Sequence, residues 1–280
     1  MSKKYVIALD IGGTNYRCAL INREYEIVKV LIKPTKKGSV ELFLKQASDI
    51  IKEIEFNRDE VLGIVAGVPG KVRLDGHIDN LPNIGIFDIP LKSYLEKEFN
   101  LPTIIKNDAE IAAVAEGHVG VGKGADNCYF ITISTGLGGC FFEKGKIKNV
   151  SEEIGHTLVE YKGNSYEVEK IASGNGIVTL AALNNLEVKS SKIFFDLVRN
   201  KDKKALVVYK EWLKLINDFL SYIEYIYEPQ VIAITGGVMK SKDLFFADLV
   251  SAHPKLTIKE AKFKFDAGLI GAAALGFLSF

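Results

Sequence analysis

Apolar residues along the chain fall into short strand-like runs and longer runs with helical spacing. Tyr5 to Leu9 is apolar throughout, and Tyr16 to Ile21 alternates. Between them stands Asp10-Ile11-Gly12-Gly13-Thr14-Asn15, so the segment predicts strand, glycine turn, strand. Asn22 to Tyr25 predicts a turn, Glu26 to Ile32 a third strand and Pro34 to Gly38 a loop. Leu42, Phe43, Ala47, Ile50, Ile51 and Ile54 then recur at helical spacing across Val40 to Ile54. Val61 to Val68 predicts a buried strand ending in Gly67-Val68-Pro69-Gly70, and Asp75-Gly76 and Asn80-Leu81-Pro82-Asn83 predict loops. Leu91 to Phe99 predicts a short helix. Thr103 to Lys106 predicts a strand running into Asn107-Asp108, and an alanine-rich helix follows to Glu116.

The second half begins by repeating the first. Tyr129 to Ser134 is another apolar run, followed by Thr135-Gly136-Leu137-Gly138-Gly139 and then Cys140-Phe141-Phe142. Repetition of strand, polar residue, glycine turn and strand points to two related halves, each with its own glycine loop. Ile147 to Lys170 is poorly periodic and predicts loops. Helices follow over Gly176 to Leu183, Lys189 to Arg199 and Lys203 to Tyr227, the last ended by Pro229. Val231 to Ile234 predicts a strand reaching Thr235-Gly236-Gly237, a further glycine turn that opens a helix. The order βββαβα suits a mixed sheet with helices on its faces. The expected architecture is therefore α/β, two lobes with a cleft, hinged near Asn107 and Asp266. One lobe takes residues 1–107 with 266–280 and the other 108–265.

The length of 280 residues provides ample core for either one or two domains. A net charge of +1 gives no nucleic-acid footprint, and Lys36-Lys37 and Lys201 to Lys204 read as solvated surface. Cys18, Cys128 and Cys140 fall in or beside predicted strands and read as small core residues of a reducing compartment. Asp10 cuts the first apolar run below signal-peptide length. Ala267 to Phe280 is apolar but shorter than the roughly twenty residues a membrane span needs. With Gly268, Gly271 and Gly276 among alanines, it predicts a buried, closely packed helix. The expectation is a soluble cytoplasmic chain with neither nucleic-acid nor membrane partner.

Glycine loops let the backbone turn sharply and aim N–H groups together at an anion. Asp10 beside such a loop makes sense where a divalent cation accompanies phosphate; a purely structural hairpin turn reads the same residues without chemistry. Asn107-Asp108 reads either as a helix cap, with Asp108 holding free N–H groups, or as a carboxylate able to take a proton from a hydroxyl. Glu152-Glu153-Ile154-Gly155-His156 is a second dense cluster, with Glu167 and Glu169 close in sequence; a solvated helix start is the alternative. Gly117 to Gly124 nearly spells a Walker loop, but Gly124 replaces the magnesium-binding hydroxyl and the segment leaves a helix instead of entering one.

With these motifs in order, the chain resembles the ROK family of sugar kinases, within the superfamily of actin, hexokinase and the heat-shock ATPases. The resemblance spans nearly the whole length. It implies the two-lobed actin-like ATPase (ribonuclease H-like) fold. It also implies phosphoryl transfer from Mg-ATP to a hexose, usually at the 6-hydroxyl, with glucose favoured and N-acetylmannosamine, N-acetylglucosamine or fructose as alternatives. Asp10, Gly12, Gly13, Thr14 and Asn15 resemble the first phosphate motif, Thr135, Gly136 and Gly138 the second, and Gly236-Gly237 the adenosine motif. The resemblance makes Asp108 the base and Asp10 the holder of Mg2+. It assigns Gly67, Asn83, Asn107, Asp108, Glu153, His156 and Glu169 to the sugar. Many members carry a cysteine-rich zinc motif after the histidine; Val159 to Glu167 here has no cysteine, so no zinc site is expected. Family repressors add an N-terminal DNA-binding module, and this chain starts at the first strand. A homodimer or homotetramer is implied, and a sugar or nucleotide sensor without turnover is the rival reading.

Overall fold

The computed structural model describes residues 3–81, 83–148 and 153–280. They form two compact units, Met1–Val119 with Phe263–Phe280, and Gly120–Lys262.

In the first unit the opening hairpin is β1 (Tyr5–Ile11) and β2 (Asn15–Asn22), followed by β3 (Ile27–Pro34) and α1 (Val40–Glu53). Then come β4 (Val61–Val68), β5 (Ile78–Leu81), β6 (Ile86–Ile89), α2 (Leu91–Phe99), β7 (Thr103–Asn107) and α3 (Asp108–Val114). The sheet runs β3-β2-β1-β4-β7, antiparallel through the hairpins and parallel from β1 across β4 to β7. Val6 to Leu9 are all buried because both faces of β1 are covered. Ile7 and Leu9 share a core with Phe43, Ala47, Ile50 and Ile51 of α1 and Leu91 and Leu95 of α2.

The second unit holds β8 (Asn127–Ile133), β9 (Leu137–Glu143), β10 (Lys146–Ile147), β11 (Leu158–Tyr161) and β12 (Asn164–Glu167). Helices α4 (Val168–Ala172), α5 (Gly174–Leu183), α6 (Ser191–Arg199) and α7 (Lys203–Tyr227) follow, then β13 (Val231–Thr235), α8 (Phe246–Ala252) and β14 (Thr257–Glu260). Its sheet runs β10-β9-β8-β13-β14, the same plan of two hairpin turns followed by two parallel neighbours. The internal repeat is thus a repeat of topology. Tyr129, Ile131 and Ile133 of β8 pack with Ile171, Leu180, Phe195 and the fully buried Trp212.

The last helix, α9 (Ala267–Ser279), belongs to the first unit and is buried from Leu269 to Gly276. It covers the face of β1 and β4 opposite α1 and packs on α3. No helix among the described residues is long and apolar enough to cross a membrane.

Several expectations change. Asn80 and Leu81 are strand, not loop: β5 pairs with β6, with Ile78 and Leu81 fully buried. A four-residue strand carries too few positions for its alternation to stand out. The stretch expected as loops between Ile147 and Lys170 contains the β11–β12 hairpin and α4; neither strand has a buried residue, so no apolar pattern marks them. Glu152 and Pro82 lie outside the described residues. α3 ends at Val114 and widens into a π turn over Ala115–Val119. Gly236-Gly237 opens a 3-10 helix, Gly237–Leu244, kinked at Ser241, instead of an α-helix. The near-Walker segment does leave a helical turn, as expected. The units divide at Val119 and Phe263, not at 107 and 266, because α3 packs against α9 and β4 of the first unit.

Candidate functional site

Parallel strands deliver functional residues to their carboxyl ends, and the first unit follows that rule. Asp10 is the parallel partner of Gly67, Gly67 of Lys106, and Val68 of Asn107. Asp10, Gly67, Asn107 and Asp108 therefore share one edge of the sheet. The Gly12–Asn15 turn stands at the same edge, closed by the Gly12 N–H donating to the Asn15 carbonyl at 2.8 Å and buttressed by Thr35, whose hydroxyl donates to the Gly12 carbonyl at 2.6 Å. Asn83 also reaches this turn: a Cβ on Gly13 would lie 2.8 Å from the Asn83 Cβ.

Asn107, not Asp108, caps α3. Its Oδ1 accepts the Ala109 N–H at 2.8 Å, and its own N–H donates to Glu110 at 3.0 Å in a capping box. Its Nδ2 donates to the Gly70 carbonyl at 3.0 Å, so the second Nδ2 hydrogen is what it offers a ligand. Asp108 accepts the Ala109 N–H at 2.8 Å and remains exposed. Desolvation by the surrounding protein pushes its pKa up to about 6; the Ala109 N–H opposes this, and the negative charge of Asp10 adds to it.

Asp10 carries a partner that the sequence reading did not assign. Arg17, directly across the hairpin on β2, donates from Nη1 to Asp10 Oδ2 at 3.3 Å. The same guanidinium donates to the Phe265 carbonyl and to Asp266, and stacks on the Phe265 ring at 3.8 Å. Arg17 is buried, and its signal was a lone cation in an otherwise apolar strand. Burial raises the Asp10 pKa, and Arg17 works against that rise. A single carboxylate beside a glycine turn fits the coordination habit of Mg2+, which takes one or two carboxylates and completes its shell with water and phosphate.

In the second unit residues 134–136 form the β8–β9 turn, closed by the Ser134 N–H donating to the Gly136 carbonyl at 2.8 Å, and Gly138 follows as the strand partner of Thr132. Gly236-Gly237 adjoins it, since Thr235 pairs with Thr132 and the Gly237 N–H donates to the Ser134 hydroxyl at 3.2 Å. The start of α5 packs on the same turn: the Gly174 N–H donates to the Ser134 carbonyl at 2.7 Å, and the Ser173 hydroxyl to the Thr135 carbonyl at 2.9 Å. Ser173 and Gly174 were missed, though a serine before Gly-Asn-Gly is a helix-start signal.

Glu169 links this turn to the histidine. Its Oε2 accepts the Leu137 N–H at 3.1 Å and would lie 2.5 Å from a Cβ at position 136, so a side chain there would displace the Glu169 carboxylate. The Glu169 Cβ lies 3.3 Å from where a Cβ on Gly155 would stand. His156 and Glu153 are both exposed, with Nε2 and Oε2 3.6 Å apart. Among the described residues no three His, Cys, Asp or Glu side chains converge as a metal cage requires. The three cysteines are buried, in the strands β2, β8 and β9.

A family model described as the ROK family matches residues 6–277. A glucokinase of Halalkalibacterium halodurans is 30% identical, covering 98% of this chain and 96% of that protein. An N-acetylmannosamine kinase of Escherichia coli O1:K1 is also 30% identical, covering 96% and 97%. Among solved structures, the ROK hexokinase of Thermus thermophilus matches with a TM-score of 0.86 at 24% identity, with 98% of each chain covered. That likeness gives the fold, that of the actin-like ATPases.

Proposed function

This chain belongs to the ROK family and is a sugar kinase, and from that premise we propose that it transfers the γ-phosphoryl of Mg-ATP to the 6-hydroxyl of a hexose, glucose first, with Asp108 as general base. The observation that carries this reading is Asp108 itself: an open carboxylate at the carboxyl edge of the parallel strands, with a pKa raised to about 6. A base of that strength is ionised at neutral pH, yet accepts a proton more readily than an ordinary carboxylate.

In this reading the first unit brings the Gly12–Asn15 turn to the phosphates and Asn83, Asn107 and the Gly67 strand end to the sugar. The second brings Thr135, Gly136 and Gly138 to the phosphates, Gly236-Gly237 to the adenosine, and Glu153, His156 and Glu169 to the sugar. Asp108 accepts the hydroxyl proton as the sugar oxygen bonds to the γ-phosphorus and the bond to the bridging oxygen of ADP breaks. Such a transfer asks chiefly for in-line positioning and charge stabilisation. Asp10 would hold the Mg2+ that comes with ATP, and that ion would supply charge neutralisation. In the same reading the enzyme works in the cytoplasm as a homodimer or homotetramer.

The equal identity to an N-acetylmannosamine kinase supports that sugar as the second acceptor to try. The test is ADP release from ATP against glucose, mannose, fructose, N-acetylmannosamine and N-acetylglucosamine, with a no-sugar control. Sugar-dependent release with glucose as best substrate is expected. Release independent of every sugar would sink the proposal, and binding without release would mark a sensor.

Asp10→Ala is expected to lower kcat/KM for ATP by about 10²-fold and to shift the Mg2+ requirement upward in a metal titration at fixed ATP. An unchanged Mg2+ dependence removes Asp10 from this role.

A further inference from the structure

His156 and Glu169 flank the two feet of one small hairpin. β11 and β12 pair from Leu158 with Glu167 to Tyr161 with Asn164. The chain turns through Lys162 and Gly163, at φ 50° and 77°, the paired positive angles of a tight hairpin turn. His156 ends the 3-10 turn that runs into β11, and Glu169 lies in the first turn of α4 as the chain leaves β12. The Val168 N–H donates to the Thr157 carbonyl at 2.8 Å and closes the feet. A two-stranded hairpin is at best marginally stable alone in water, and this one has no buried residue in either strand.

Val159, Tyr161 and Tyr166 rest half-buried on the core of the unit, and a set of polar contacts ties the tip. The Tyr161 hydroxyl donates to the Glu211 carboxylate on α7. Asn184, just past α5, shares its Nδ2 hydrogens among the Tyr161 oxygen at 2.6 Å, Glu211 at 2.9 Å and the Leu180 carbonyl at 3.0 Å. Lys162 donates to the Asn184 side-chain oxygen. Desolvation, with the Glu211 bond adding to it, pushes the Tyr161 hydroxyl up to about 12, so it stays a donor throughout the neutral range. The next residue on α7, Trp212, donates its indole N–H to the Ala172 carbonyl of α4 at 2.9 Å. Neighbouring α7 side chains therefore hold the hairpin tip and the helix at its foot.

We propose that Tyr161, Asn184 and Glu211 form a latch that fixes the β11–β12 hairpin and, through it, sets His156 and Glu169 for the sugar. They are positioning residues, and the proposal rests on the sugar-kinase reading of those two side chains.

Tyr161→Phe and Glu211→Ala each cut the knot, while Glu211→Gln keeps an acceptor oxygen. Amide hydrogen exchange of the full chain without substrates reads the latch independently of activity. Exchange over residues 157–168 is expected to speed by about tenfold in the first two variants and to stay near the unaltered rate in Glu211→Gln. In steady-state kinetics the sugar KM is expected to rise five- to tenfold, with kcat and the ATP KM within twofold. The double variant should fall short of the sum of the two single effects, because both cut the Tyr161–Glu211 bond. Unchanged exchange overturns the latch. Faster exchange with an unchanged sugar KM overturns the positioning role, as does an ATP KM that rises in step with the sugar KM. No sugar-dependent turnover by the unaltered chain sinks the kinase reading and the positioning claim together, while exchange still decides whether the latch exists.

Discussion

Asp108→Asn is expected to lower kcat by about 10³-fold while ATP and sugar still bind in calorimetry. The amide keeps the oxygen that accepts the Ala109 N–H at 2.8 Å, so the start of α3 stays in place and only the proton acceptor is lost. The unaltered enzyme should lose kcat/KM as pH falls through about 6, because the pKa of Asp108 is raised to that value and only the ionised form accepts a proton. The variant should lose that limb of the profile. The stability effect has a definite sign. A carboxyl whose folded pKa lies above its unfolded value of 3.8 favours the folded state at low pH, and that contribution fades as pH rises through about 6. Asparagine carries no charge at any pH, so thermal stability at pH 7 should not fall. Turnover within tenfold of the unaltered enzyme removes Asp108 from the role of base.

The second large effect is structural. A Cβ on Gly271 of α9 would lie 1.9 Å from the carbonyl oxygen of Ile111 on α3 and 2.9 Å from the Ile111 Cγ2. A backbone oxygen has no rotamer to move aside, so Gly271→Ala forces the two helices apart. The expected cost is about 3 kcal/mol, a Tm lowered by roughly 5 to 10 °C in a thermal melt. Because Asp108 begins α3, kcat should fall as well. A melt unchanged within about 1 °C contradicts the close crossing.

Much of the fold was legible because its strands and helices carry their own pattern. Val61–Val68 and Leu91–Phe99 have the bounds their spacing predicts, since one continuous apolar run and one amphipathic turn sequence leave no other register. The β11–β12 hairpin was not legible, because its strands are four residues each and bury none fully: Val159, Tyr161 and Tyr166 only half-cover themselves on the core, and the rest of the hold is polar, at the tip. The candidate site divides in the same way. Asp10 and Asp108 stand out as acids beside a glycine turn or at a strand end. Arg17 acquires its meaning only from Phe265 and Asp266, which fold back from the far end of the chain.

By itself, the amino-acid order determined local periodicity, the duplicated glycine turns and the choice of acids at strand ends, because each is set by residues within a turn or two of one another. Only the tertiary structure decided that α3 groups with the first strands, that Asn107 and not Asp108 caps it, and that Glu169 grips the Leu137 N–H. Those outcomes depend on which backbone groups find a partner across long sequence separations. Burial and hydrogen-bond geometry settle such competition only once the whole chain has packed.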